Sequence, residues 1–237
     1  MQESQSEKLS PLRTFACLGI AFVVLKIVLA AALQDWLKHV LVALALFAIP
    51  VLSRGNNRSI LRKIFAAKKN PHAQWVCLAY FILPLILHSF VQPQEWFRTR
   101  LEWQQWILSE PGMAAIVLAP LSEEFFFRGW LLRAQQERRG SAEHASGLQA
   151  VWICYINALV FWIFHAPVSL GQWHLALRHG QMPLSPGPFF LGFIVAGLTM
   201  WSGNLRAAII FHMIANAMGP VWLPLLANES IRALFYN

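Results

Sequence analysis

"SEEFFFRGW", residues 122–130, sets two adjacent glutamates and an arginine among three phenylalanines inside a long apolar stretch. On a helix facing water, Phe125, Phe126 and Phe127 would be a liability. On a helix facing hydrocarbon, Glu123, Glu124 and Arg128 would each cost a few kcal/mol unless paired or turned toward a polar cavity. The stretch therefore fits a helix inside a bundle, where charges can meet partners and aromatic rings can meet other helices.

The rest of the chain agrees. It is 57% hydrophobic and 13% charged, with 11 tryptophans in 237 residues and a mean hydropathy of +0.48, too apolar for a soluble domain of this size. Spanning elements must be helices or a closed barrel, because hydrocarbon offers no hydrogen bonds. The apolar runs have helix length and lack the two-residue alternation of a barrel. The expected fold is all-α: a single integral membrane domain over 1–237, a polytopic transmembrane bundle of seven to eight spans.

Seven segments read as membrane-inserted: 14–33, 36–53, 74–91, 112–133, 148–167, 188–203 and 206–226. The stretch "EWFRTRLEWQQWILSEPG", 95–112, mixes Trp96, Trp103 and Trp106 with charges at helical spacing and reads as an amphipathic helix at the interface, or else an eighth span. "RHGQMPLSPGP", 178–188, reads as an external loop. The N-terminal run ending "LAAALQ" has a faint likeness to a secretory signal, but it is long for one, carries Lys26 and is followed almost at once by a second span.

Alternating the connections places twelve basic residues on one side, among them Lys8, Arg13 and those of 54–69, and five on the other, namely Lys38, Arg98, Arg100, Arg178 and Arg232. The positive-inside rule makes the N-terminus cytoplasmic, and a bacterial inner membrane is the expected location. The formal net charge of +8 raises nucleic acid as a partner, but no nucleic-acid motif accompanies the basic residues, and none is expected to bind. Expected partners are the bilayer and a membrane-anchored substrate. Cys17, Cys77 and Cys154 lack the close pairing of a metal knuckle or disulfide framework and read as core residues.

Ionisable residues deep in a span are functional candidates by default. The fourth segment holds Glu123, Glu124 and Arg128, the fifth Asn157 and His165, and the seventh His212 and Asn216. Residues four apart share a helix face. Glu124 and Arg128 are so spaced, in the order that favours an intrahelical salt bridge, which leaves Glu123 to address another neighbour. Phe161 and His165 are four apart, and so are His212 and Asn216.

A carboxylate beside a histidine can hold and deprotonate water. An asparagine amide and a second imidazole can donate to the oxyanion formed when that water attacks a peptide carbonyl. Together these parts make a water-activating hydrolase. The plainer account, helix-packing glue or a proton or ion path, suits any one of them alone, but three helices contributing at four-residue spacing favour a site. Lys26 and His88 lack partners at such spacing and read as structural, with Lys26 free to snorkel.

"EEFFFR" at 123–128, "FWIFH" at 161–165 and "HMIAN" at 212–216 occur in order, each in an expected span. This pattern resembles the CAAX protease and bacteriocin-processing intramembrane proteases, over about 112–220. The resemblance implies an endopeptidase acting on a membrane-associated or lipid-linked protein or peptide, in which Glu123 and His165 activate the water and His212 and Asn216 form the oxyanion hole. Glu124, Arg128 and Phe161 would be supporting residues. No cofactor is then required. A zinc site of two histidines and a glutamate is the less favoured alternative, since no His-Glu-x-x-His run occurs and Asn216 suits a donor better than a zinc ligand. A non-catalytic membrane immunity factor or a polytopic transporter is the competing class, although the halves show no repeat relation.

Overall fold

The computed structural model describes residues 11–30, 35–53, 71–91, 93–138, 147–166, 178 and 185–227. Among the described residues the regular structure is entirely helical: α1 Pro11–Ala30, α2 Asp35–Ser53, α3 Pro71–Val91, α4 Pro93–Leu108, α5 over 110–138, α6 Gly147–Phe164, α7 Gly187–Ser202 and α8 Leu205–Ala227. Each of the seven expected segments falls on one of these helices over its described residues, and the tryptophan-rich stretch is an eighth. That helix, α4, is fastened to α8, because the indole Nε1 of Trp103 donates to the Ala217 carbonyl at 2.8 Å.

Helix α5 departs from the uniform winding that a four-residue face assumes. It runs as α-helix over Glu110–Met113, π-helix over Ala114–Leu118, α-helix over Ala119–Glu124, π-helix over Phe125–Leu132 and α-helix over Arg133–Arg138. Pro120 accounts for the first wide turn. Its ring would collide with the carbonyl four residues back, that of Ile116, and it has no N–H to give, so the coil opens just before it. In the second wide turn the Phe127 carbonyl accepts from the Asn157 amide of α6 at 2.9 Å, a side-chain partner inserted at a widened coil. π-Turns are rare and concentrate at functional sites.

Three hydrophobic clusters meet on α5. Phe125 packs with Val195, Leu205, Ala208 and Phe211. Phe126, Phe127, Trp130 and Leu131 pack with Ala21, Leu46, Phe161 and Phe164, and Leu132 with Ile153, Cys154 and Ala196. The three phenylalanines of 122–130 therefore face neighbouring helices. Around this centre α6 packs most extensively on α7, and α8 on α3. Gly203, at φ 62°, ends α7 in the left-handed conformation open to glycine. Asn204 then caps α8, its Oδ1 accepting the Arg206 N–H at 2.8 Å.

Within this hydrophobic core sit several charged and polar groups, and large apolar side chains stand on the outside. Glu124, Arg128, Asn157, Ser122 and His212 are buried, while Ile27, Leu44, Trp75, Phe90, Leu148, Trp152 and Phe190 stand at least half exposed. By length and composition, one helix among the described residues, Gly147–Phe164, is long and apolar enough to cross a membrane. Ala16–Val28, Leu37–Pro50, His72–Leu87, Gly187–Ser202 and Leu205–Gly219 are shorter apolar helices. Cys77 and Cys154 are buried as expected, Cys17 is half-buried, and all three are free. Lys8, the basic run 54–69, Arg139 and Arg232, on which the orientation was read, lie outside the described residues, as do 179–184 of the expected external loop.

Candidate active site

The middle of α5 supplies three charged groups in two directions. Arg128 is fully buried and bonds Glu124 from Nη1 to Oε1 at 3.0 Å, as the four-residue spacing predicts. Its Nη2 donates to the Gly192 carbonyl of α7 at 2.9 Å, and its guanidinium lies 4.5 Å from the centroid of the Phe161 ring. Glu124 does more than this pairing, because Oε1 also meets Nδ1 of His212 at 2.8 Å. A residue expected to hold one helix in register thus links two.

Glu123, about 100° further round the coil by α-helical geometry, is half-buried and faces both histidines. Its Oε2 lies 4.0 Å from His165 Nε2 and 3.8 Å from His212 Nε2. Both distances exceed a direct hydrogen bond and approach those that a single shared water spans. The structure therefore brings Glu123, His165 and His212 together from α5, the end of α6 and α8.

Ring protons follow from the partners. Nδ1 of His165 lies 2.8 Å from the Phe161 carbonyl, and a carbonyl only accepts, so Nδ1 carries a proton and Nε2 of the neutral ring presents its lone pair toward Glu123. His165 also stacks on Phe161, with centroids 4.4 Å apart. In His212, Nδ1–H donates to Glu124, and Nε2 becomes a donor only in the doubly protonated ring. Asn216, one turn along α8, donates one amide N–H to the Ala115 carbonyl at 2.8 Å, which fixes its plane and leaves the second N–H for another acceptor. Asn157 is spent on Phe127 and serves packing.

A cavity of about 280 Å³ opens on Glu123 and His165, with Lys26 and His39 as its other ionisable lining and Leu46, Phe127 and Phe164 among its apolar walls; His212 and Asn216 stand outside that lining. Lys26, read from the sequence as structural, has its partners on a distant helix. It finds partners within the protein, donating from Nζ to the Phe164 carbonyl at 3.1 Å and to the Ala166 carbonyl. A lone cation in an otherwise apolar helix was the only signal pointing to it, and helical spacing could not reveal a partner 138 residues away. Among the described residues no group of three His, Cys, Asp or Glu side chains stands at metal-holding spacing.

Residues 103–218 match the model of the Rce1-like family, described as type II CAAX prenyl endopeptidase Rce1-like. Over this segment, just under half of the chain, the sequence is similar to the Rce1-like family. The match begins at Trp103 in α4 and ends at Met218 in α8, enclosing Glu123, Glu124, Arg128, Phe161, His165, His212 and Asn216. It bears out the resemblance carried by the three short motifs. No curated protein and no solved structure matched the chain. Helices α1 and α2, which bring Lys26 and His39 to the cavity, precede the Rce1-like segment.

Proposed function

We propose that the protein is an intramembrane endopeptidase of the glutamate type, acting on a membrane-associated or lipid-linked protein or peptide. Similarity of residues 103–218 to a CAAX-type protease family supports the reaction class. The single observation that carries the mechanism is Glu123 Oε2 lying 4.0 Å and 3.8 Å from the Nε2 atoms of His165 and His212, on the wall of a cavity with apolar surroundings.

A water between Glu123 and His165 gives its proton to this pair as its oxygen attacks the scissile carbonyl carbon. The second N–H of Asn216 and Nε2–H of doubly protonated His212, held by Glu124, donate to the resulting oxyanion. Collapse of the tetrahedral intermediate breaks the C–N bond. The proton first taken from water passes to the leaving amine, giving a new carboxyl terminus and a new amino terminus. No metal takes part; chelators that abolish cleavage by the purified protein, with zinc restoring it, would replace this account with the zinc alternative.

The protein spans the bilayer several times in this reading, supported by its apolar exterior and charged centre. With no large extramembrane domain among the described helices, substrate reaches the cavity laterally or from the interface. The test is cleavage of a panel of prenylated and plain membrane-anchored peptides by wild type, Glu123→Gln, His165→Ala and Asn216→Ala, with thermal unfolding in parallel. Glu123→Gln is expected to lower kcat by about 10²–10⁴-fold, the range of a lost general base, at unchanged stability. Wild-type cleavage by Glu123→Gln would leave packing or transport as the role of these residues.

A further inference from the structure

Helix α6 ends at Phe164, and its last four carbonyls, those of Phe161, Trp162, Ile163 and Phe164, have no partner within the helix ladder. Each is nevertheless occupied. Nδ1 of His165 bonds Phe161 at 2.8 Å, the His165 N–H bonds Trp162 at 3.0 Å, and the Ala166 N–H bonds Ile163 at 3.0 Å. The fourth cap comes from a different helix: Nζ of Lys26 bonds Phe164 at 3.1 Å and also the Ala166 carbonyl. One ammonium thus grips the residues on either side of His165.

We propose that Lys26 is a positioning residue that fixes the end of α6, so that His165 presents Nε2 to Glu123. A single turn at a helix terminus frays readily, and His165 stands just past that terminus with its side chain 35% exposed. Its ring rests on Phe161 and on one hydrogen bond, neither of which restrains the backbone that carries it. Lys26 adds a restraint from α1 to the two backbone hydrogen bonds, from the His165 and Ala166 N–H groups, that close this turn. Its placement is secured in turn, since Nζ lies 5.2 Å from the Phe22 centroid and the Phe22 ring meets Phe164 edge to face at 5.4 Å. The cation also stands at the negative end of the α6 dipole, where positive charge is favoured. The inference gives α1, which lies outside the Rce1-like segment, a part in the site, and it rests on the catalytic reading of Glu123 and His165.

The test compares Lys26→Met, Lys26→Gln and Lys26→Arg with wild type in detergent micelles, by cleavage of a fluorescence-quenched prenylated CAAX peptide and by amide hydrogen exchange over 161–166. Lys26→Met is expected to lower kcat about 10–100-fold, as small misplacements of a reacting group do, with KM within about twofold of wild type. Exchange at His165 and Ala166 should quicken, and Lys26→Arg, which keeps cation and donors, should restore both readouts. Wild-type kcat and exchange in Lys26→Met would overturn the proposal. So would equal losses in the Met and Arg variants accompanied by a lower melting temperature, the mark of a packing role. Should Lys26→Met fail to fold, Lys26→Gln, which loses the charge but keeps amide donors, is judged by the same readouts. Glu123→Gln separates the two readings: cleavage surviving there refutes the catalytic role while the exchange result on Lys26 still stands.

Discussion

Glu123 and Glu124 are neighbours in sequence with opposite fates, and their burial explains why. Glu124 has no exposure and is held by Arg128 at 3.0 Å and His212 at 2.8 Å. Glu123 is 17% exposed and stands at water-bridging distance from two imidazoles. One is committed to structure and the other is available for chemistry. Arg128→Met should therefore destabilise the fold by about 3–5 kcal/mol, since it strands a buried carboxylate, and denaturant unfolding in micelles measures this. Glu123→Gln removes no hydrogen bond at this distance and should unfold with wild type, so the two variants separate stability from activity.

Between elements, the tightest seam is α6 against α7. A Cβ placed on Gly192 would lie 3.0 Å from Cδ1 of Phe161, 3.2 Å from the Ala158 Cα and 3.4 Å from Nη2 of Arg128. The Ala158 backbone cannot step aside as a side chain would, so the helices must part. Gly192→Ala should cost about 1–3 kcal/mol, as overpacking does, read as a lowered melting temperature. It should also reduce cleavage, because Phe161 carries the His165 ring and Arg128 anchors Glu124. A Gly192→Ala variant with wild-type stability would show that the α6–α7 spacing is looser than these distances require. Glu123 and Glu124 lie in the α-helical stretch between the two π-turns of α5, where neighbours point about 100° apart, so Glu124 turns to α8 while Glu123 faces the cavity.

For the whole molecule, the apolar exterior is the feature with consequences. Monomeric soluble proteins rarely expose contiguous apolar surface beyond a few hundred Å², yet half-exposed large side chains occur on α1, α2, α3, α6, α7 and α8. Burial in lipid, as the proposed intramembrane reading has it, would remove that surface from water. The protein should sediment with membranes, resist extraction by alkaline carbonate and dissolve only in detergent, which fractionation and immunoblotting will check. Release by carbonate would remove the intramembrane reading and leave the apolar faces to a protein partner.

Sequence alone determined the helices and the residues that carry charge among them. Apolar runs of helix length placed seven of the eight helices, and the Trp-rich spacing the remaining one. Four-residue spacing gave the Glu124–Arg128 pair, and three short motifs gave the family. These are local properties, set by side-chain type and the helical repeat. Tertiary structure alone decided what those residues touch: His212 on Glu124, Asn157 on the Phe127 carbonyl, Arg128 on the Gly192 carbonyl and Lys26 at the end of α6. Each contact joins residues at least 30 positions apart, where no periodicity reports on proximity. The π-turns were hidden for a related reason, since they arise where Pro120 interrupts the ladder and where a side chain from another helix enters it.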